Sequence, residues 1–101
     1  MEKIGTHLIV DFFNCGFGVL NDCEALKALL VTAAEKANCK VLHAYTHQFN
    51  PQGVTAVAVL AESHISIHTY PERGYAAWDI FTCGDKAMPN KALALLLEKL
   101  K

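Results

Sequence analysis

Val54 to Cys83 reads VTAVAVLAESHISIHTYPERGYAAWDIFTC, and this stretch decides the fold because three strands and two short turns are expected along it. Val54 to Ala61 is a nearly unbroken apolar run, the pattern of a central strand covered on both faces. Between His64 and Thr69 polar and apolar residues alternate with a period of two. His64, Ser66 and His68 are therefore expected on one face, Ile65 and Ile67 on the other. Pro71 to Gly74 supplies a turn, and Tyr75 to Thr82 reads as the third strand. Nearly all the reactive side chains of the protein crowd into Ala61 to Cys83.

Upstream, Asn50 to Gly53 (NPQG) is a hairpin turn, preceded by a strand within Lys40 to Phe49. Leu26, Leu29, Leu30, Ala33, Ala34 and Ala37 fall at helical spacing, and Asn21 with Glu24 resembles a capping box, so a helix is expected from Asp22 to Ala37. His7 to Phe13 reads as a first strand ended by a turn at Asn14 to Gly18. Downstream, Pro89 suits a helix start, and Leu93, Leu96, Leu97 and Leu100 form the stripe of a second helix. Strands grouped between two helices argue for an antiparallel sheet with both helices on one face. This is a two-layer α+β sandwich, a single domain over residues 1–101. The other sheet face then needs cover, which self-association would supply.

Composition narrows the function. With 52% hydrophobic and 19% charged residues, the chain is rich for a small monomer and a homodimer is expected. A net charge of −1 offers no electrostatic footprint for nucleic acid or an anionic membrane. Cys15, Cys23, Cys39 and Cys83 include no CxxC pair, no leader precedes the first strand, and the run Leu8 to Leu20 is too short to span a bilayer. A cytoplasmic protein with reduced thiols follows.

His64 and His68, four apart, would share a zinc ion on a helix, but the intervening residues do not match the helical motif and the strand alternation argues against it, so no metal is expected. His7, His43 and His47 read as structural. A cysteine hydrolase built from Cys83 and His68 lacks an evident helix N-terminus or oxyanion loop, and an isolated cysteine is commonly a small buried apolar residue.

AESHISIHTYPE, followed by GYAA and FTCG and preceded by HQFNPQGV, resembles the small pyruvoyl-dependent S-adenosylmethionine decarboxylases of bacteria and archaea. The resemblance runs from Gly5-Thr6-His7 almost to the end of the chain. It implies that Ser63 attacks the carbonyl of Glu62, converting an amide into an ester. Elimination then splits the chain into residues 1–62 and 63–101, leaving a pyruvoyl group where Ser63 stood. Such a shift needs a strained or polarised peptide and a nearby proton shuttle. His68 matches the family's processing histidine, and Thr55 stands where a hydroxyl assists. The ketone takes the part of pyridoxal phosphate, forming a Schiff base with the substrate amine and serving as an electron sink. Cys83 matches the proton donor, Phe49 and Tyr70 the pair that sandwiches adenine, and Glu72 the carboxylate on the ribose hydroxyls. The implied product is the aminopropyl donor for spermidine synthesis.

Ser63 and His68 are five apart, so a regular strand would point them to opposite faces. Either the chain bends near Glu62 to His64, or one residue meets the other from a neighbouring subunit in a shared active site. Several positions depart from the family pattern: Tyr70 stands where Trp is frequent, Gln48 where Arg is common, Ala56 where Gly is common, and Trp78 where a smaller aliphatic residue is usual. Family members commonly continue into another strand where this sequence stops, which leaves a weaker sheet edge. Two alternatives remain: a pyruvoyl-dependent arginine or ornithine decarboxylase, and an uncleaved, non-enzymatic dimer that binds a nucleoside or a partner.

Overall fold

Ile65 and Ile67 are fully buried while His64 and Ser66 are half-buried and His68 exposed, so the alternation legible in HISIH sets the orientation of the whole sheet. In the computed structural model, which describes residues 3–101, every strand pairing is antiparallel. The chain runs β1 (Gly5–Phe12), α1 (Phe17–Leu20), α2 (Cys23–Lys36), β2 (Val41–Gln48), β3 (Val54–Leu60), β4 (Ser63–Tyr70), a 3₁₀ turn (Pro71–Arg73), β5 (Tyr75–Cys83) and α3 (Pro89–Lys99). The sheet order is β1-β5-β4-β3-β2, so β4 is the middle strand, flanked by β3 and β5. The fold is the two-layer α+β sandwich expected.

Helices α2 and α3 lie together on one face, over Ala56, Ala58, Leu60, Ile65, Ile67, Ala76, Trp78 and Ile80. Small alanines on β3 let α2 approach closely, and large residues on β4 and β5 fill the remaining depth. Each buried isoleucine contributes about 1.5–3 kcal/mol relative to an exposed one. Trp78 packs edge-on against Phe12 at 6.0 Å, and its Nε1 is the lone buried side-chain nitrogen or oxygen without a partner among the described residues. Volume and apolar area are the gain at this position, against a cost of about 1–3 kcal/mol for the orphaned N–H.

Three local expectations change. Residues 14–18 hold not only a turn but the start of α1, whose Leu20 is fully buried. The N-cap of α2 is Asp22, whose carboxylate accepts from the Ala25 N–H at 3.0 Å, rather than Asn21 of the expected capping box. Asn21 is drawn away because its side chain bonds elsewhere. Finally, β3 is covered on one face only: its alternate residues Thr55 and Val57 are half-buried and Val59 is 39% exposed. The apolar run reports what the strand could bury, while the chain itself covers one side.

Candidate active site

The turn between β3 and β4 contains only Ala61 and Glu62, and it pins Glu62 at φ 61°, in the left-handed region. A non-glycine residue there costs on the order of 1–2 kcal/mol. The Glu62 carbonyl oxygen accepts a hydrogen bond from the Cys83 thiol at 3.2 Å, and the Ser63 hydroxyl donates to the Ala61 carbonyl at 3.3 Å. The Ala61 N–H donates to Lys40 O at 3.0 Å, tying the turn to the segment entering β2. On the far side of β5, a Cβ on Gly5 would stand 2.5 Å from Thr82 O, so only glycine lets β1 lie beside Cys83. Burial, and next the nearby Cys83, push the Cys39 thiol above its ordinary pKa. Glu62, Ser63 and Cys83 therefore form one group: a strained residue whose carbonyl carries a thiol donor, with a serine hydroxyl next in sequence.

At the other end of β4, Phe49, Thr55, His68, Tyr70 and Glu72 line a cleft of about 430 Å³ together with Gln52, Gly53 and Thr69. That volume lies in the range of small-molecule sites, about 300–1,000 Å³. Thr55 and His68 are cross-strand partners, and Thr55 Oγ1 lies 3.0 Å from His68 Nδ1, so a proton can pass between hydroxyl and ring. The cleft is braced from behind. Buried Thr69 accepts from Val54 N–H at 2.9 Å and donates to Leu20 O at 2.7 Å, joining β3, β4 and α1. Asn21 Oδ1 accepts from Gly53 N–H at 2.9 Å and from Gln48 Nε2 at 3.1 Å, and Phe49 N–H donates to Gly53 O at 2.8 Å. Gly53 has φ 106°, and a Cβ there would lie 3.2 Å from Thr69 O, so the tight loop that carries Phe49 requires glycine. Phe49 and Tyr70 remain about half exposed, free to receive a planar ligand.

These two groups do not meet within one chain. Ser63 opens β4 and His68 sits near its close, five residues on, or roughly 16 Å at about 3.3 Å per residue. The chain does turn sharply at Glu62, yet that turn leaves Ser63 and His68 apart.

Between them, on the sheet face away from the helices, Asp79 collects three donors. Its Oδ2 lies 2.7 Å from His7 Nε2 and 2.8 Å from His64 Nε2, and its Oδ1 accepts from the Ser66 hydroxyl. Desolvation pushes this carboxyl up, but the bonds from Ser66, His7 and His64, with the charge of His64, outweigh it and hold the group below its ordinary pKa. Further along the same face, Tyr75 donates to Asp11 at 2.6 Å, and that bond raises the phenol above its usual range. Asp79 does not stand out in the sequence, and Asn21 does so only as a helix cap. Their partners lie 13 to 72 residues away, where no local spacing reveals them.

A family profile described as S-adenosylmethionine decarboxylase matches residues 6–101. The chain is 50% identical over 97 residues to an S-adenosylmethionine decarboxylase proenzyme of Prochlorococcus marinus, covering 96% of this chain and 78% of that one. It is 45% identical over 101 residues to the proenzyme of the same name from Pyrococcus abyssi, covering 100% of this chain and 73% of the relative. Its fold superposes on the crystal structure of the adenosylmethionine decarboxylase from Aquifex aeolicus with a TM-score of 0.91 and 34% identity, covering 99% of this chain and 82% of that one. With a strained Glu62–Ser63 junction at one end of β4 and an aromatic-lined cleft at the other, this chain belongs to the S-adenosylmethionine decarboxylase family.

Proposed function

We infer that the chain is the precursor of an S-adenosylmethionine decarboxylase, which cuts itself between Glu62 and Ser63 and supplies the aminopropyl donor for spermidine synthesis. The observation that carries this reading is the junction itself: Glu62 held left-handed, its carbonyl bonded to the Cys83 thiol, and the Ser63 hydroxyl beside it. Attack of Ser63 Oγ on the Glu62 carbonyl carbon forms an ester and breaks the peptide C–N bond, the hydroxyl proton passing to the released amine. Strain at Glu62 raises the ground state, and the Cys83 thiol draws charge onto the carbonyl oxygen. Loss of the residue-63 Cα proton then expels the Glu62 carboxylate. Uptake of water and release of ammonia leave a pyruvoyl group at the head of residues 63–101. His68, bonded to Thr55, suits the proton transfers because an imidazole can both accept and donate a proton.

The residues around Ser63 fit such a group: Ser63 is half-buried, and the Cys83 thiol stands over the same turn. When formed, the pyruvoyl ketone supplies an electron sink for loss of carbon dioxide from a substrate amine. Phe49 and Tyr70 stack against adenine, Glu72 accepts the ribose hydroxyls, and Cys83 returns a proton to the product. A cationic, electron-poor nucleoside gains about 0.5–1.5 kcal/mol per stacked ring.

Two half-sites at opposite ends of one strand support a homodimer with shared active sites. The helix-free sheet face presents Ile9 at 76% exposure, Tyr45 at 61% and Val59 at 39%, apolar side chains that a second copy could cover. A twofold pairing in which the Ser63 end of one copy meets the His68 end of the other would complete two sites per dimer. Free cysteines at all four positions suit a cytoplasmic setting.

An intact mass spectrum of the denatured protein tests the cleavage: two fragments split between Glu62 and Ser63 are expected, while a persistent 11.1 kDa species would contradict it. Ser63→Ala should abolish cleavage. Carbon dioxide release should follow addition of S-adenosylmethionine and not of arginine or ornithine; release from either amino acid alone would reassign the substrate.

A further inference from the structure

We propose that His7, His64 and Asp79 form a binding site for a divalent transition-metal ion of the zinc type. The three come from adjacent strands, β1, β4 and β5, and their ligand atoms all lie within 4.8 Å of one another. Both histidines aim Nε2 at the same oxygen of Asp79, at 2.7 and 2.8 Å. The other carboxylate oxygen is held by Ser66, which fixes the plane of the carboxylate and leaves Oδ2 for the shared partner. The rings are held as well: Phe81 lies edge-on to His7 at 5.7 Å and stacked beside His64 at 6.5 Å, and the two imidazoles contact each other edge to face at 5.9 Å. Two imidazole nitrogens and one carboxylate oxygen, with a position open to water, match the donor set and count of an accessible zinc centre.

The geometry requires a small adjustment. At metal–ligand bonds of about 2.0–2.1 Å, tetrahedral ligands stand about 3.3 Å apart. Asp79 Oδ2 must therefore retreat by roughly half an ångström, and the two nitrogens must close toward each other. In the metal-free protein each Nε2 carries the proton it donates to Asp79. Binding replaces that proton with the ion; Nδ1, which makes no hydrogen bond in either ring among the described residues, can carry the proton of the neutral ring, and a ring that starts charged releases one proton on binding. In a single chain the side chains are 43% exposed for His7, 41% for His64 and 23% for Asp79; in the proposed dimer this face meets its partner, so the ion would sit at the seam between the two sheets. The ion would cross-link three strands one residue from the Glu62–Ser63 bond.

Metal-stripped full-length protein is titrated with Zn²⁺ by calorimetry and with Co²⁺ by absorption. The expected result is one equivalent per chain in the micromolar range, with Co²⁺ bands of nitrogen and oxygen ligation and none of thiolate ligation. His64→Ala, Asp79→Asn and His7→Gln should each weaken binding about 100-fold or more, and Ser66→Ala about tenfold, as expected of a group that orients a ligand. His7→Gln keeps a donor for Asp79, so the variant should match the metal-free parent in circular dichroism and melting. Absence of saturable binding, thiolate bands in the Co²⁺ spectrum, or affinity unchanged across the ligand variants would each overturn the proposal. The titration reads the ion directly, whatever becomes of cleavage or turnover.

Discussion

The two ends of β4 are built differently. At the Ser63 end the chain is a two-residue turn with a left-handed glutamate and a thiol on a backbone carbonyl. At the His68 end there is a cleft of about 430 Å³, braced by Thr69 and Asn21 and walled by two half-exposed aromatic rings, with no bond poised to break. On the proposed reading, strain lies where chemistry on the backbone is needed, and rigidity where a ligand is to be oriented. Neither end suffices alone, and roughly 16 Å of strand keeps them apart.

The sharpest way to break the comparison is at the reactive end. Cys83→Ala removes the thiol on Glu62 O and, on the proposed reading, the proton donor of turnover. Decarboxylation should fall by about 10²–10⁴-fold, the scale of a lost general acid. Cleavage should slow only about tenfold, the scale of one hydrogen bond. A loss of turnover far larger than the loss in cleavage rate separates the roles, whereas equal loss of both would merge them. Effects at the binding end should be smaller and of another kind. Tyr70→Ala and Glu72→Gln should each raise KM for S-adenosylmethionine about tenfold and leave the cleavage time course unchanged. If either blocks cleavage, the division between the ends fails.

Smallest is the brace. Asn21→Ala leaves Gly53 N–H without its acceptor and removes one of the acceptors of Gln48, a cost of about 1 kcal/mol that should lower the melting temperature by about 4–8 °C in a domain of this size. KM should rise modestly through the loosened Phe49 loop, with cleavage untouched. A melting curve identical to the parent would remove Asn21 from the account.

Much of this was legible in the sequence because the pattern was local. Ile65 and Ile67 against His64, Ser66 and His68 set the sheet's two faces, the leucine and alanine stripes set both long helices, and Pro89 began the second. The odd spacing of Ser63 and His68 already held the separation of the half-sites, since five residues on a strand change both face and position. What stayed hidden was assembled across the sheet. Asn21 looked like a helix cap and serves as a clamp on a loop 32 residues away, and Asp79 looked like an ordinary polar residue of a strand and gathers His7, His64 and Ser66. The contact between Cys83 and Glu62 O spans 21 residues and depends on the register of β4 with β5. A side chain's partner over such distances follows from strand order, which the one-dimensional pattern does not carry.

The shared site is tested most directly by complementation. Ser63→Ala cannot form the cofactor but keeps His68, and His68→Ala keeps Ser63 but lacks the ring that serves it. The two variants, distinguished by tags, are co-expressed and purified as mixed dimers. The account predicts that the His68→Ala chain, inert by itself, is cleaved between Glu62 and Ser63 in the mixed dimer, giving one competent site in two and about half the activity of the parent dimer. Mixed dimers that form and leave both chains whole would contradict it, and would return Ser63 and His68 to a single chain.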